Sequence, residues 1–218
     1  MSLDTIRERL SRLDTACLCD ANKELRVMEP AIRPVRLGLK LVGKAYTIVC
    51  EEDFLMVMRG LHDAKPGDVL VVDTRASRRA VVGELFSNEA LRRGLAGLVI
   101  DGAVRDTEKI RAISIPVYSR TITPVSGTIR KIFETQVAIR CGGVAVHPGD
   151  VLFGDDDGIV VATEKELAEL IPFAETIQRN EEAALVRIGK GEDLLKMIGF
   201  DEHYDAIKAG RESSLKFS

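Results

Sequence analysis

Two uninterrupted apolar runs, each followed directly by an aspartate, constrain the fold of this chain more than any other feature. Val69-Leu-Val-Val72 ends at Asp73, and Leu95-Ala-Gly-Leu-Val-Ile100 ends at Asp101. A strand with one face in water alternates apolar and polar residues, whereas a strand covered on both faces is apolar throughout. Both runs are therefore predicted to be buried strands of an α/β fold, in which ligands collect at the carboxyl ends of the strands.

Strand and helix patterns alternate along the first half of the chain, and strands cluster in the second half. Helices are predicted at residues 4–25 (with a second short helix from Thr15 to Ala21), 54–64, 80–93 and 107–113. Further strands are predicted at residues 41–50, 116–118, 129–132, 137–141, 151–153 and 159–161. No linker divides the chain, so residues 1–218 are expected to form a single domain with a charged helical tail from about residue 163.

Composition excludes several classes of protein. The net charge is -3, aromatic residues make up 5%, and tryptophan is absent, which argues against a basic or base-stacking nucleic-acid surface. The first ten residues carry charges throughout and lack the apolar segment of a signal peptide. No apolar run reaches the ~18 residues that a membrane span needs. We therefore expect a cytoplasmic protein that binds neither nucleic acid nor membrane.

The cysteines and histidines do not form a metal-binding pattern. Cys17, Cys19, Cys50 and Cys141 are expected to be buried, reduced thiols, with a zinc site as the minor alternative. His62, His147 and His203 lie far apart in the sequence, and His62 is expected at the surface of a helix.

The densest group of chemically useful residues spans positions 83–106. Gly83-Glu84-Leu85 lies near the predicted start of a helix, where free N–H groups and the helix dipole favour an anion. A predicted turn at Asp101-Gly102 brings Arg105 and Asp106 side by side. The guanidinium suits a substrate carboxylate, and the carboxylate suits Mg²⁺ or Mn²⁺. Taken alone, the Arg-Asp pair is more typical of a surface ion pair in a turn than of a site.

The order and spacing of several short segments resemble the RraA-like family from about Asp14 to Leu170. The matching segments are Asp20-Ala21, Met28-Glu-Pro-Ala-Ile-Arg-Pro34, Leu41-Val-Gly-Lys-Ala-Tyr46, Pro66-Gly-Asp-Val-Leu-Val-Val-Asp73, Gly83-Glu-Leu85, Gly97-Leu-Val-Ile-Asp-Gly-Ala-Val-Arg-Asp106, Cys141-Gly-Gly-Val144 and Pro148-Gly-Asp-Val-Leu-Phe-Gly-Asp-Asp-Asp-Gly158. This family includes class II 4-hydroxy-4-methyl-2-oxoglutarate/4-carboxy-4-hydroxy-2-oxoadipate aldolases and regulators of ribonuclease E activity.

The resemblance implies a role for each residue of this group. The aldolase branch has an acid, twenty intervening residues and then Arg-Asp, and Glu84 with Arg105-Asp106 fits that spacing. Asp106 is then expected to bind the metal, Arg105 the pyruvyl group, and the backbone N–H groups that follow Gly83, at Leu85 and Phe86, the substrate oxygens. Glu84 would hold a water on the metal. It stands where the branch commonly has Asp, and its longer side chain changes its reach.

The resemblance also implies a layered, swivelling β/β/α domain with a central mixed sheet, assembled as a homotrimer or homohexamer. The implied reaction is metal-dependent cleavage of 4-hydroxy-2-oxo acids to pyruvate, with decarboxylation of oxaloacetate by the same electron sink. No Schiff-base lysine is needed, so Lys44 and Lys65 are expected to be surface residues. The alternative is a non-catalytic, protein-binding regulator of a ribonuclease, although such regulators tend to lack the acid that Asp106 provides.

Other candidates are weaker. A quinone methyltransferase would need a glycine-rich loop after the first strand, which Gly43-Lys-Ala-Tyr46 does not provide. Gly154-Asp-Asp-Asp-Gly158 is expected to be a solvated turn because it lacks a full calcium-binding loop. Glu181 is expected on a solvated helical face; in the aldolase branch a late acid of an adjacent subunit can approach the site, and the resemblance makes Glu181 the candidate for that acid. Arg75, Arg78 and Arg79 are either solvated or a second contact for an anionic substrate.

Overall fold

The computed structural model describes residues 1–214. The helices are α1 Leu3–Leu10, α2 Thr15–Ala21, α3 Leu55–Asp63, α4 Glu84–Arg92, α5 Thr107–Ile110, α6 Glu164–Gly189, α7 Leu194–Met197 and α8 Phe200–Lys208. The strands are β1 Arg26–Val27, β2 Arg33–Pro34, β3 Leu41–Val49, β4 Asp68–Asp73, β5 Ala80–Val82, β6 Gly97–Val104, β7 Val117–Ile122, β8 Ile139–Cys141, β9 Val144–Val146, β10 Val151–Gly154 and β11 Ile159–Ala162.

Within the described residues, nine strands form one mixed sheet in the order β1-β11-β10-β3-β4-β6-β7-β2, with β5 paired to β6. The central strands β3, β4, β6 and β7 run parallel, and β5 runs parallel to β6. The outer pairs are antiparallel. The predicted α/β fold with a central mixed sheet is thus confirmed.

Both faces of the central strands are covered, as their apolar runs predict. Leu70 and Val72 of β4 pack with Val57 and Leu61 of α3 on one face. On the other face, Val69 and Val71 pack with residues of the separate β8–β9 hairpin. A third cluster joins α1 and α2 to the first half of α6. In sheets of this kind, ligands bind at the edge where the carboxyl ends of the parallel strands lie.

Two predicted elements near the candidate site are wrong. Residues 80–82 form strand β5 and not the first turn of a helix, because Ala80 and Val82 pair with β6 and the buried, β-branched Val81 and Val82 favour an extended backbone. Strand β6 runs on to Val104, so Asp101-Gly102 lies inside the strand and is not a turn. A Cβ at Gly102 would lie 2.2 Å from Oγ1 of Thr74, so glycine permits this close approach between neighbouring chain segments.

Other boundaries differ for identifiable reasons. The predicted helix at residues 4–25 is two helices, because α1 ends at Leu10 and Asp14 caps α2 by accepting a hydrogen bond from the backbone N–H of Cys17. Residues 129–132 are not a strand, since the N–H groups of Arg130 and Lys131 donate to the carboxylate of Asp53. The predicted helical tail from about residue 163 is confirmed, and it begins with a capping box at Thr163.

Among residues 1–214, no helix is at once long enough and apolar enough to cross a bilayer.

Candidate active site

The residues singled out at positions 83–106 meet where two neighbouring strands end. Because β5 and β6 are parallel and Val82 is in register with Val104, the chain leaves both strands at one edge of the sheet. Gly83 then leads into α4, while Arg105 and Asp106 follow β6. The N–H of Arg105 donates to the carbonyl of Val82 over 3.0 Å. A cavity of about 150 Å³ lies here, lined by Gly83, Leu85, Phe86, Arg105, Asp106, Phe54, Ala80, Val81, Val82 and Ser126.

Asp106 sits against the amino-terminal end of α4. Its Oδ2 accepts a hydrogen bond from the backbone N–H of Glu84 at 3.2 Å. The N–H groups of the first helical turn have no acceptor within a helix, and the helix dipole adds partial positive charge there. The start of α4 therefore attracts the carboxylate of Asp106 and helps to hold it in place. Asp106 itself has a left-handed backbone (φ 57°), a conformation that aspartate tolerates better than most residues.

Arg105 and Asp106 form a close, partly exposed pair. Nε of Arg105 lies 3.4 Å from Oδ2 of Asp106, and the two side chains are 42% and 39% exposed. Both groups can thus be reached by a molecule in the cavity. An ion pair in this degree of exposure contributes little to stability, which leaves both side chains available for a ligand.

Glu84 contacts Asp106 through its backbone N–H, and its side chain takes no part in this contact. Across residues 1–214, its carboxylate makes no hydrogen bond or ion pair, and Glu84 does not line the cavity. Leu85 and Phe86, the other residues of the first turn of α4, do line it. The proposed contact between Glu84 and a water stays a prediction.

Gly83 is required by the closeness of its neighbours. A Cβ built on Gly83 would lie 2.4 Å from Oδ2 of Asp106 and 3.1 Å from Cγ of Arg105. Any side chain here would push the acid and the guanidinium apart. Since Gly83 has an extended backbone (φ -151°), close contact and not backbone conformation calls for glycine.

The opposite wall of the cavity was not foreseen from the sequence. The rings of Phe54 and Phe86 meet edge to face, with centroids 5.5 Å apart. Ser126 belongs to a loop that makes hydrogen bonds to residues far away in the sequence. The N–H and the carbonyl of Ala80 bond to the two residues that flank Ser126. No local sequence signal marks these residues as site-lining, because strand pairing and loop packing bring them together.

Asp53 fixes that loop to the start of α3. Its side chain is fully buried and accepts hydrogen bonds from Oγ1 of Thr128 and the N–H groups of Leu55, Arg130 and Lys131. Burial alone would raise the pKa of Asp53, but these hydrogen bonds outweigh it and lower the pKa below its ordinary value. Asp53 is therefore a structural anchor beside the cavity wall at Phe54.

Replacing Asp53 by alanine is expected to destabilise the fold by about 3 kcal/mol, because buried N–H donors lose their acceptor. Urea unfolding at neutral pH measures this change. Since the folded-state pKa is lowered, the contribution of the carboxylate is present above the unfolded pKa and is lost as pH falls through the folded value. The difference from wild type should thus shrink in acid. An unchanged unfolding midpoint at pH 7 would contradict the anchor role.

A second acid group was missed because Asp101 was placed in a turn. In β6 its Oδ1 accepts from Nε of Arg120 at 2.5 Å, and its Oδ2 accepts from the N–H of Gly142 at 2.7 Å. Arg120 also lies 2.9 Å from Glu29. The hydrogen bond to Asp101, with that to Glu29, raises the pKa of Arg120. This network ties β6 and β7 to the β8–β9 hairpin, which makes it structural.

The remaining candidates lie elsewhere. Glu181 is 3.5 Å from Sγ of Cys17 in the same chain. Asp155 accepts hydrogen bonds from the N–H and the hydroxyl of Thr15, so the Gly154–Gly158 turn anchors α2 and is not merely solvated. Exposed His62 lies beside Asp63 on α3, as expected of a surface residue. Lys44 pairs with Glu164 at 2.6 Å.

The basic cluster flanks the cavity without lining it. Arg75 lies over the ring of Phe133, and Nη1 of Arg79 donates to the carbonyl of Ser126 at 3.3 Å. Arg78 is exposed.

The cysteines are free thiols, and three of them are buried. Burial raises the pKa of Cys17 and of Cys50 to about 12, and it raises that of Cys141 well above the ordinary value. Cys19 is only partly buried, which corrects the expectation that all are buried. These thiols are therefore protonated at neutral pH.

The donor atoms at the site fit a hydrated, hard cation better than a fully protein-coordinated one. Residues 1–214 contain no group of three or more His, Cys, Asp or Glu side chains placed to hold a metal. Asp106 offers Oδ1, to which no described residue donates a hydrogen bond. Mg²⁺ typically keeps several waters and binds through one or two carboxylates plus substrate oxygens. Asp106 beside a cavity meets that requirement.

Comparison with known proteins gives a consistent assignment. The model of the RraA-like family (Aldolase/RraA) matches residues 15–161. A protein from Halalkalibacterium halodurans named "Putative 4-hydroxy-4-methyl-2-oxoglutarate aldolase" is 34% identical over 173 residues, covering 78% of this chain and 82% of its own length.

Two solved structures share the fold with appreciable identity. The RNA-processing inhibitor RraA from Thermus thermophilus has a TM-score of 0.64 and 31% identity, covering 69% of this chain and 92% of its own. A protein from Geobacillus kaustophilus named as an S-adenosylmethionine:2-dimethylmenaquinone methyltransferase has a TM-score of 0.66 and 36% identity, covering 72% and 98%. The family match, the aldolase-named relative and the shared sheet agree: this chain belongs to the RraA-like family.

Proposed function

We propose that this chain is a divalent-metal-dependent lyase that cleaves 4-hydroxy-2-oxo acids to pyruvate and also decarboxylates oxaloacetate. The observation that carries the proposal is the meeting of three groups on one small cavity: the carboxylate of Asp106, the guanidinium of Arg105 and the amino-terminal turn of α4. Such a site combines a position for a hard cation with two positions for anionic oxygens.

Asp106 would hold Mg²⁺ or Mn²⁺, which supplies a Lewis acid for the 2-oxo group. Arg105 binds the substrate carboxylate through parallel hydrogen bonds. The N–H groups of Leu85 and Phe86 donate to substrate oxygens and stabilise the negative charge that develops on the pyruvate enolate.

Proton transfer completes the reaction. When the bond between C3 and C4 breaks, the C4 hydroxyl passes its proton through a water to the carboxylate of Glu84, and the same water returns a proton to C3, which becomes the methyl group of pyruvate. Glu84 is suited to this indirect role because its side chain is free of other partners among residues 1–214.

Chelation tests the proposal. Pyruvate release from 4-hydroxy-4-methyl-2-oxoglutarate, followed by coupling to lactate dehydrogenase, should fall at least about 100-fold with excess EDTA and return with added Mg²⁺ or Mn²⁺. Pyruvate added to the same mixture controls for the coupling enzyme. Full turnover in the presence of chelator would rule out the metal-dependent mechanism.

One observation supports the alternative of a ribonuclease regulator, namely the similarity to the solved RNA-processing inhibitor. It would be supported by absence of turnover on both substrates together with tight binding to a ribonuclease. The segment around Gly43 does not provide the cofactor loop that the methyltransferase alternative needs. Gly43 lies inside β3, where a Cβ would sit 2.5 Å from the carbonyl oxygen of Gly67, so this glycine serves strand packing and not a cofactor loop.

A further inference from the structure

The cavity beside Arg105 and Asp106 has two chemically different ends. One end carries the charged pair and the backbone N–H groups that begin α4, whereas the side chain of Phe86 points to the other end. The other is built from aromatic and aliphatic side chains, with Phe54 and Phe86 in edge-to-face contact. The whole cavity has a volume of about 150 Å³, roughly the size that holds one benzene molecule, so its apolar end has room for a small aliphatic group only.

Among residues 1–214, no cationic side chain lines the apolar end. Of the lining residues, Arg105 and Asp106 are the charged ones, and Ser126 is the polar residue on the far side. Arg79 lies close to the cavity but does not line it. Its guanidinium donates to the carbonyl of Ser126 and lies 3.8 Å from the carboxylate of Glu52. A second substrate carboxylate placed among the phenylalanines would lose water without gaining a cationic partner, which is costly.

Resting on the proposed function, we propose that the preferred substrates are 4-hydroxy-2-oxo monocarboxylates with a small apolar group on C4, such as isopropyl, because the same cavity must also hold the 2-oxo acid part of the substrate. The acid end of the substrate faces Arg105, and its C4 substituent lies against Phe54 and Phe86. Phe54 is then a specificity-determining residue of the site.

The reaction for such a substrate is balanced without an additional reactant. The bond between C3 and C4 breaks, the C4 hydroxyl gives up its proton and becomes an aldehyde, and C3 takes a proton. For 4-hydroxy-5-methyl-2-oxohexanoate the products are pyruvate and 2-methylpropanal.

A matched pair of substrates tests the substrate class. In 4-hydroxy-5-methyl-2-oxohexanoate C4 carries an isopropyl group, and in 4-hydroxy-2-oxoglutarate it carries a carboxylate of the same shape. Both release pyruvate, so one assay with Mg²⁺ or Mn²⁺ on the full chain compares them. We expect kcat/KM to be at least about tenfold higher for the isopropyl compound, since apolar pockets discriminate by this order.

Variants test the role of Phe54. Phe54→Ala should lower kcat/KM for the isopropyl compound about tenfold and change that for the dicarboxylate little. Phe173→Ala is the matched control, because Phe173 is 64% exposed on α6. Should Phe54→Ala fail to fold by circular dichroism, Ser126→Arg replaces it, and the cation that it adds to the lining should shift preference towards the dicarboxylate.

The possible outcomes separate this inference from the proposed function. Preference for the isopropyl compound that is reduced by Phe54→Ala supports the inference. Preference for 4-hydroxy-2-oxoglutarate overturns it while leaving the lyase proposal standing, and loss of that preference in Arg79→Gln would assign the second carboxylate to Arg79. Absence of pyruvate from both compounds, with no oxaloacetate decarboxylation, overturns the lyase proposal and this inference together.

Discussion

Replacing Asp106 by alanine is expected to lower pyruvate release by at least about 1,000-fold, because the site then loses both its cation ligand and the charge that balances Arg105. The carboxylate borders the cavity and is 39% exposed, so its removal opens no hole in the hydrophobic core. The fold should therefore survive, as judged by an unchanged circular dichroism spectrum. The rate is measured by lactate dehydrogenase coupling with saturating Mg²⁺ or Mn²⁺.

A second variant separates the loss of charge from a change in the backbone. Asp106 has φ 57°, which asparagine adopts more readily than alanine, so Asp106→Asn keeps the left-handed turn and removes only the charge. Mn²⁺ binding followed by electron paramagnetic resonance should weaken in both variants, which gives a reading independent of turnover. Asp201→Ala on α8, an exposed aspartate, serves as the control. Undiminished activity of Asp106→Asn would refute the assignment.

The apolar runs were enough to predict the central sheet, because the pattern that marks a buried strand lies within a few consecutive residues. Val69–Val72 and Leu98–Ile100 are apolar on successive residues, and the structure buries alternate side chains on opposite faces of one sheet. The grouping of Gly83, Arg105 and Asp106 was likewise foreseen from the family pattern, and the structure brings these residues to the edge where β5 and β6 end.

What the sequence did not reveal depends on pairing between distant segments. Ala80–Val82 has the apolar character of either a helix or a strand, and pairing with Ala103 and Val104, the part of β6 beyond its pairing with β4, selects the strand. Asp101-Gly102 has the composition of a turn, yet Arg120 and Gly142, both far along the chain, satisfy Asp101 inside β6. The wall formed by Phe54 and Ser126 is missing from the sequence pattern for the same reason, since the Asp53 hydrogen bonds assemble it.

Gly83→Ala is expected to reduce kcat/KM about 100-fold, the cost of displacing a catalytic group by ~1 Å. The added methyl would lie 2.4 Å from Oδ2 of Asp106, well inside van der Waals contact, so the carboxylate must move away from the N–H of Glu84. Arg105 must also shift, because its Cγ would be 3.1 Å from the same methyl. Both side chains are partly exposed and can move outwards, which should spare most of the stability.

Gly158→Ala is the matched control, since a Cβ at Gly158 meets no atom within 4 Å. It should leave turnover and the thermal unfolding midpoint close to wild type. In Gly83→Ala, the thermal unfolding midpoint should fall by only a few degrees, whereas kcat/KM should fall about 100-fold. The affinity for Mn²⁺ should weaken along with kcat/KM. Wild-type kcat/KM in a folded Gly83→Ala protein would mean that the spacing of Asp106 from the first turn of α4 is unimportant for the reaction, and the site would have to be sought elsewhere.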